Sequence, residues 1–342
     1  MIDFRYHLVS IVAVFLALAI GIVLGSTELQ GTALDSLRGL NDSLKNQLNA
    51  VSGQRDSYAQ LSGASATFLH SAEPKLLRGT LAGDRIVMVT EPGAPSSVVN
   101  GIKQSAGYAG AAITGTVAIQ PKFNDLSGTT QSSLSAINSE VATTTGTALA
   151  PAADSRTVPQ QNAAQLIATA ILARSSTQAG LTAGQAQTVL TSYAQAGYLT
   201  ASGAPWHPAT LAVIVAPQSA PADGASDPGS QVLLAVAQQF AGASAATLVA
   251  GPAAGSAPAA SAISVLRSSS VSGQVSSVDN ADSVLGQISV VWAFADQLAG
   301  GKPSSYGISG ASAVSPAVPA PSATPSVSAT PTGKATGKVK RS

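Results

Sequence analysis

The most apolar stretch of the chain lies near its amino end. Leu8–Gly25 is 18 residues long, with no charged side chain and one serine. As a helix it would be about 27 Å long, close to the hydrocarbon thickness of a bilayer. Arg5 precedes it, and the next basic residue is Arg38. The positive-inside rule therefore places residues 1–7 in the cytoplasm and the rest of the chain outside the membrane.

Cleavage and pairing are two further questions about this segment. A signal peptide has an apolar core of about 7–15 residues and a small-residue cleavage site. Val23–Gly25 would serve as that site, but the core is longer, and Asp3 stands among the first residues. We therefore expect an uncleaved anchor, with the cleaved signal peptide as the alternative.

Gly21 and Gly25 have the small-xxx-small spacing that lets two helices pair closely, although glycine is also common in membrane helices generally.

From Leu34 onwards, apolar residues return at heptad spacing. One heptad position holds Leu37, Leu44, Val51 and Tyr58, and the other holds Leu34, Asn41, Leu48 and Arg55. Six of these eight are apolar, which predicts a short coiled-coil stalk over residues 26–78 and a homodimer formed through it. Asn41 would fix the register of the pairing, and Gly39 and Gly53 would weaken the helix. The alternative is a single amphipathic helix packed on its own domain.

Beyond Gly79, short apolar runs alternate with helical patterns. Strands are predicted at 86–90, 111–119, 211–216, 247–250 and 275–278, and helices at 163–173, 183–198, 231–240, 260–267 and 282–298. Such alternation is typical of an α/β fold with crossover connections. The strands have no polar alternation, which indicates a sheet covered on both faces. We therefore predict an extracytoplasmic, Rossmann-like domain with a mainly parallel sheet over residues 79–308.

The carboxyl-terminal residues 309–342 differ in composition from the rest. They are rich in alanine, serine, threonine and proline, and four basic residues lie near their end, Lys334, Lys338, Lys340 and Arg341. Such a segment buries too little apolar surface to offset its ordering entropy, so we predict a disordered tail. Its basic end would either touch an anionic surface or simply keep the chain soluble.

Composition excludes several classes of protein. Only 10% of the 342 residues are charged and the net charge is +1, which does not suit a protein that neutralises nucleic-acid phosphates. There is no cysteine, which excludes disulfides, cysteine–zinc sites, iron–sulfur clusters and a cysteine nucleophile. The remaining soft or borderline metal ligands are His7, His70, His207, Met1 and Met88. We therefore expect no metalloenzyme, and no metal ligand can be assigned.

The sequence also lacks the common catalytic and nucleotide-binding motifs. It contains no G-x-G-x-x-G after a predicted strand, no phosphate-binding P-loop and no G-x-S-x-G. Gly251–Gly255 follows a strand, but Pro252 and the absence of a third glycine make it a poor phosphate loop. Asp279 and Asp282 lie between the last predicted strand and helix. They would form a cation site or, as we favour, Asp282 is an N-terminal residue of the helix, where the helix dipole favours a carboxylate. We predict neither an enzyme nor a bound cofactor.

Several segments resemble one family of actinobacterial proteins. The opening Asp3–His7 reads DFRYH and the apolar segment ends in GIVLGS. Leu77–Gly83, Val278–Asn280 and Gly300 to Gly307 also fit the pattern. Together they resemble the copper transport protein B (MctB) family over about residues 1–308, most clearly at the amino terminus. Family members have one membrane helix, a coiled stalk and an extracytoplasmic α/β region.

The resemblance implies a role in copper efflux or copper homeostasis, and some members of the family are described as outer-membrane proteins. Copper would then be a transported ion rather than a cofactor. The chain is poor in the thiolate, thioether and imidazole ligands that copper prefers. An oligomer or a partner would therefore have to form the conduit. The alternative is a non-catalytic scaffold for the cell envelope or for division, acting with a partner membrane protein.

Overall fold

The computed structural model describes residues 3–149, 156–175, 177–178, 180–218, 227–253 and 261–319. The chain divides into two compact units, Met1–Ser65 and Ala66–Ser342. The second unit contains the predicted α/β domain together with residues 66–78, which the sequence analysis assigned to the stalk.

The amino-terminal helix α1 runs from Asp3 to Leu76 and contains both the predicted span and most of the predicted stalk. Within it, Phe4–Gly25 is long and apolar enough to cross a membrane, by length and composition. Gly39 and Gly53 do not interrupt the helix. In the single chain the heptad side chains from Leu37 to Tyr58 are exposed; Leu37, for example, is 62% exposed. The pairing of two stalks remains a prediction.

Among the residues that the structure describes, the second unit contains seven strands and seven further helices. The strands are β1 (Arg85–Thr90), β2 (Ala112–Ile119), β3 (Leu199–Gly203), β4 (Leu211–Val215), β5 (Ala246–Ala250), β6 (Ser276–Val278) and β7 (Ser305–Tyr306). The helices are α2 (Ser96–Tyr108), α3 (Gly128–Thr145), α4 (Val158–Ile171), α5 (Ala183–Gln195), α6 (Pro228–Ala243), α7 (Ala262–Ser268) and α8 (Val284–Leu298).

The strands form one sheet in the order β3-β2-β1-β4-β5-β6-β7. Neighbours are parallel except for β3, which runs antiparallel to β2. Every residue of β4 and β5 is buried, because helices cover both faces of the sheet. The prediction of an α/β fold with a mainly parallel sheet is confirmed.

Two apolar layers hold the helices to the sheet. One contains side chains from α3 to α7, including Tyr193 and Phe240. The other joins α2 and α8, with Ile102 and Phe294 among its fully buried side chains. The end of α1 belongs to this second layer: Leu77 is fully buried, and the Glu73 carboxylate accepts a hydrogen bond from Ser105 on α2.

Helix α2 was missed by the sequence analysis. Its Asn100-Gly101 pair is a strong turn signal when it is met in a sequence alone. In the fold, Gly101 serves helix packing instead: a Cβ on it would overlap the Gln287 side chain of α8. The apolar residues Val98 and Ile102 have the i, i+4 spacing of a helix face and are buried.

Helix α3 and strand β3 were missed as well. Helix α3 is rich in serine and threonine, and two of its four buried residues are Thr130 and Asn138, so its apolar pattern is faint. The predicted helix 183–198 is three residues too long. It ends at Gln195, and the chain then turns at Gly197, which has a φ of +77°. After that turn, Leu199 pairs with Ile119 as β3 begins.

Residues 309–319 lie beside β7. The Ser312 and Ala313 amides both donate to the Ser305 carbonyl oxygen, at 3.1 and 3.3 Å. Residues 320–342 lie outside the described residues, so the disorder predicted for the tail remains a prediction.

Candidate functional site

A crevice opens beyond the carboxyl ends of β1 and β4. These strands are neighbours at the centre of the sheet, yet the chain leaves them in opposite directions. From β1 it passes through α2 to β2, and from β4 it passes through α6 to β5. In open α/β sheets such a switch point leaves a crevice between the two outgoing loops, and ligands bind there.

The crevice has a volume of about 460 Å³, within the range of small-molecule sites. Its wall comes from the loop after β1, the turn after β2, the loop after β4 and the first turns of α6. The described residues in the wall are Glu91, Pro92, Gly93, Asn124, Pro217, Gln218, Asp227, Pro228, Gly229, Ser230, Leu233 and Ala262. None of these described residues is basic.

Glu91 is the first residue after β1, and the sheet fixes its position. Its amide donates to the Val215 carbonyl oxygen of β4 at 3.0 Å. The side chain is only 4% exposed, and burial raises the pKa of its carboxyl to about 7, against a smaller lowering by a hydrogen bond from Asn124. Among the described residues, Oε1 of Glu91 has no hydrogen-bond partner.

Asn124 ends the short 3₁₀ turn Pro121–Asn124 that follows β2. Its Oδ1 atom is buried and, like Oε1 of Glu91, has no hydrogen-bond partner among the described residues. Gly229, in the first turn of α6, lies close by: a Cβ there would be 3.3 Å from Nδ2 of Asn124. The crevice therefore has two buried acceptor oxygens without donors on adjoining wall residues.

The start of α6 contributes a second carboxylate. Asp227 is the N-cap residue of this helix, and its Oδ2 accepts from the Ser230 amide at 2.8 Å. A carboxylate in this position satisfies an otherwise free amide and complements the helix dipole. The Asp227 carboxylate therefore already compensates the partial positive charge at the start of α6.

The two acids noted in the sequence do not form an open cation site. The Asp279 carboxylate pairs with Arg267 at 2.7 Å and accepts from the Ile308 and Ser309 amides at 2.7 and 2.8 Å. Arg267 also donates to the Tyr306 carbonyl oxygen at 2.7 Å. This buried cluster joins β6, α7 and the end of β7, so the role of Asp279 is structural.

Asp282 lies apart from that cluster and has a different partner. Its Oδ1 accepts from the Ala253 amide at 3.0 Å, which ties the loop after β5 to the start of α8. Ser283, rather than Asp282, is the N-cap of α8.

The structure describes Gly251 to Ala253 of the loop that the sequence analysis called a poor phosphate loop. A Cβ on Gly251 would lie 2.9 Å from the Ile263 side chain. Its glycine thus serves packing against α7.

The scattered histidines and the internal methionine are not brought together. His7 and His70 lie on α1 and His207 in the loop before β4, all three exposed. Met88 is fully buried within β1. Over the ranges that the structure describes, no group of three or more histidine or acidic side chains could hold a metal ion.

Comparison with known proteins identifies the family. The model of the family described as "Copper transport outer membrane protein, MctB" matches residues 1–316. The chain belongs to the MctB family. Two of the segments that carried the resemblance in the sequence, Val278–Asn280 and Gly300 to Gly307, meet in the fold, since a Cβ on Gly307 would overlap the Asp279 carboxylate.

Curated relatives in the MctB family match part of the chain. The protein named Copper transporter MctB from Mycobacterium tuberculosis is 35% identical over 123 residues, 36% of this chain and 39% of the relative; the protein of that name from Mycobacterium bovis matches equally. The Mycobacterium leprae protein is 31% identical over 141 residues, 41% of this chain and 44% of the relative. The chain thus matches less than half the length of these relatives. Their names are those of transporters rather than enzymes.

Sequence analysis named no residue of the switch-point crevice as a site. Glu91 directly follows the predicted strand 86–90 and was assigned no role. The signal that would have found it is a carboxylate placed directly after an apolar strand in a chain with few charges. Asn124 and Asp227 carry no such signal, because only the strand order brings them to Glu91.

Proposed function

We propose that the chain is a single-pass, membrane-anchored protein of the cell envelope that takes part in copper homeostasis, with residues 1–7 cytoplasmic and the α/β unit outside. The observation that carries the proposal is the match to the copper-transport family over residues 1–316. The match includes an apolar helix of 22 residues, Phe4–Gly25. The names of the curated relatives support copper as the transported species.

The proposed role is transport-related and non-catalytic. Copper(I) prefers thiolate and thioether ligands, and copper(II) prefers imidazole, whereas the described residues provide no cluster of such groups. One helix also cannot enclose a pore. We therefore propose that a conduit needs further copies, paired through the exposed heptad positions of α1, or a partner membrane protein.

Deletion of the gene tests this role. The mutant strain should accumulate copper and lose tolerance to it, while its tolerance to zinc is unchanged. Wild-type chain should restore tolerance, and Leu16→Arg should not, because a mid-span arginine costs about 2.5–3.5 kcal/mol on insertion scales. Leu16→Ala is the matched control and should restore it. Copper content is measured by elemental analysis of washed cells.

Unchanged copper content and tolerance would reject the copper role. If the deletion instead alters septation or sensitivity to wall-directed antibiotics, the chain is a non-catalytic envelope scaffold. The lack of a metal-binding cluster among the described residues is the observation that favours this second candidate.

The proposed orientation predicts a labelling pattern. Because the chain has no cysteine, a single introduced cysteine is a unique probe. Ser132→Cys, at an exposed position of α3, should react with an impermeant thiol reagent in cells whose outer layer is permeable. Tyr6→Cys, exposed on the other side of the apolar segment, should react only after lysis. The opposite pattern would reverse the orientation, and a mature amino terminus near Ser26 would replace the anchor with a signal peptide.

A further inference from the structure

The crevice beyond β1 and β4 has two buried acceptor oxygens in its wall that receive no hydrogen bond from the described residues. Oε1 of Glu91 and Oδ1 of Asn124 are both shielded from solvent and both lack a partner among the described residues. Buried acceptors in native proteins are nearly always satisfied, and one left without a donor costs free energy. Both belong to wall residues of one crevice, so a single ligand could supply the missing donors. The terminal torsions of glutamate and asparagine are soft, so these oxygens can reorient to meet a donor.

The charge of the wall selects the kind of donor. Glu91 and Asp227 are the acidic residues of the wall, and its described residues include no lysine, arginine or histidine. The start of α6, which would attract an anion, is already capped by Asp227. A ligand with a carboxylate or phosphate would therefore meet acceptors and acids, whereas a cationic donor meets complementary groups.

The size and remaining lining of the crevice favour an organic molecule over a bare ion. A hard metal ion takes six or more oxygens at 2.0–2.6 Å. The described wall instead has two carboxyl side chains, one of them engaged as a helix cap, around a cavity of about 460 Å³. The rest of the wall is largely apolar and includes Pro92, Pro217 and Leu233. Such a wall packs against a hydrocarbon body.

We propose that this crevice binds a small organic primary amine, whose ammonium group donates to Oε1 of Glu91 and Oδ1 of Asn124 and whose apolar body packs against Pro92, Pro217 and Leu233. An ammonium group has three N–H donors and can serve both oxygens at once. The site is independent of copper transport, since it needs neither a metal ligand nor the stalk.

Benzylamine is a suitable probe, with benzyl alcohol and benzoate as matched aromatic controls. The full chain is placed in lipid nanodiscs, and binding is measured by titration calorimetry against empty nanodiscs. We expect saturable binding of benzylamine, tighter than that of benzyl alcohol, and no binding of benzoate. Glu91→Gln should weaken benzylamine binding at least about tenfold, because it replaces a charge-assisted hydrogen bond with a neutral one.

Further variants guard against an unfolded protein. Glu91→Gln should keep the tryptophan fluorescence of the wild type. Asn124→Ala removes the second acceptor and should also weaken benzylamine binding, while Glu140→Gln, on the exposed surface of α3, should leave it unchanged. Absence of saturable benzylamine binding would overturn the proposal. So would equal affinities for the amine and the alcohol, an unchanged affinity in folded Glu91→Gln, or displacement of benzylamine by stoichiometric magnesium.

Discussion

Replacing Arg267 with alanine should destabilise the α/β unit by about 3–5 kcal/mol, the usual cost of removing one partner of a buried ion pair. The side chains of Arg267 and Asp279 are 12% and 3% exposed. Arg267→Ala leaves the buried Asp279 carboxylate without its ion-pair partner. It also removes the donors to Ser277, Tyr306 and Ser309. The free energy of unfolding can be measured in urea by tryptophan fluorescence, because Trp206 and Trp292 both lie in this unit.

Arg174→Ala is the matched control for this loss. Arg174 is exposed and donates one hydrogen bond from Nε to the Gly242 carbonyl oxygen at 2.8 Å. Its removal should change the free energy of unfolding by less than about 1 kcal/mol. Equal effects of the two substitutions would show that the Arg267 cluster does not hold β6 and β7 together. The variants Arg267→Ala and Asp279→Asn should also be strongly non-additive, since they break the same pair.

Glu91→Gln should remove most of a pH dependence that this carboxyl imposes on folding. Its pKa is raised from 4.5 to about 7 in the fold. Between these values the folded chain keeps a proton that the unfolded chain has lost. Stability is therefore full below about pH 4.5 and falls as the pH rises through 7, by a total of about 3 kcal/mol. The other polar residues of the crevice wall are Asn124, Gln218, Asp227 and Ser230, and none of them carries a positive charge to offset this loss.

Urea unfolding of wild type and Glu91→Gln at intervals from pH 5 to pH 8 measures this effect. The two should be close in stability at pH 5, and the variant should be the more stable at pH 8. Glu140→Gln, which changes an exposed carboxylate, should follow the wild-type profile. Parallel profiles for wild type and Glu91→Gln would mean that Glu91 ionises in the fold as easily as in the unfolded chain.

The sequence was informative where one physical requirement dominates. The run at Leu8–Gly25 has to be apolar, and the structure extends it only to Phe4–Gly25. Strands β1, β4, β5 and β6 are buried on both faces, so their apolar runs predicted them to within one residue. Strand β2, whose residues alternate between buried and partly exposed, was also predicted to within one residue. Helices α2 and α3 were missed because their residues do not follow a simple apolar pattern. In α2, the pair Asn100-Gly101 is typical of a turn, whereas the structure uses Gly101 for close packing against Gln287. Helix α3 is held partly by polar contacts, such as the hydrogen bond from Tyr193 to Asn138.

The candidate site could not be predicted for a topological reason. Glu91, Asn124 and Asp227 are separated by 33 and 103 residues along the chain, and they meet only because β4 lies beside β1. Local patterns contain no information about that neighbour. By contrast, the helix-start role favoured for Asp282 could be argued from its place before a predicted helix, although in the structure Ser283 is the N-cap and Asp279 pairs with Arg267.

The strand order also determines when the sheet can be completed during synthesis. Strand β2 follows β1 closely and can pair with one of its edges early. The other edge pairs with β4, where Ile86 is matched to Leu211, and the Arg85 carbonyl accepts a bond from Thr210, 125 residues further along the chain. At about 5–20 residues per second, a ribosome needs on the order of 6–25 seconds to make that length. Strand β1, whose residues Ile86 to Val89 are buried in the folded chain, thus spends this interval with one edge unpaired, which leaves the α/β unit unfinished until β4 arrives.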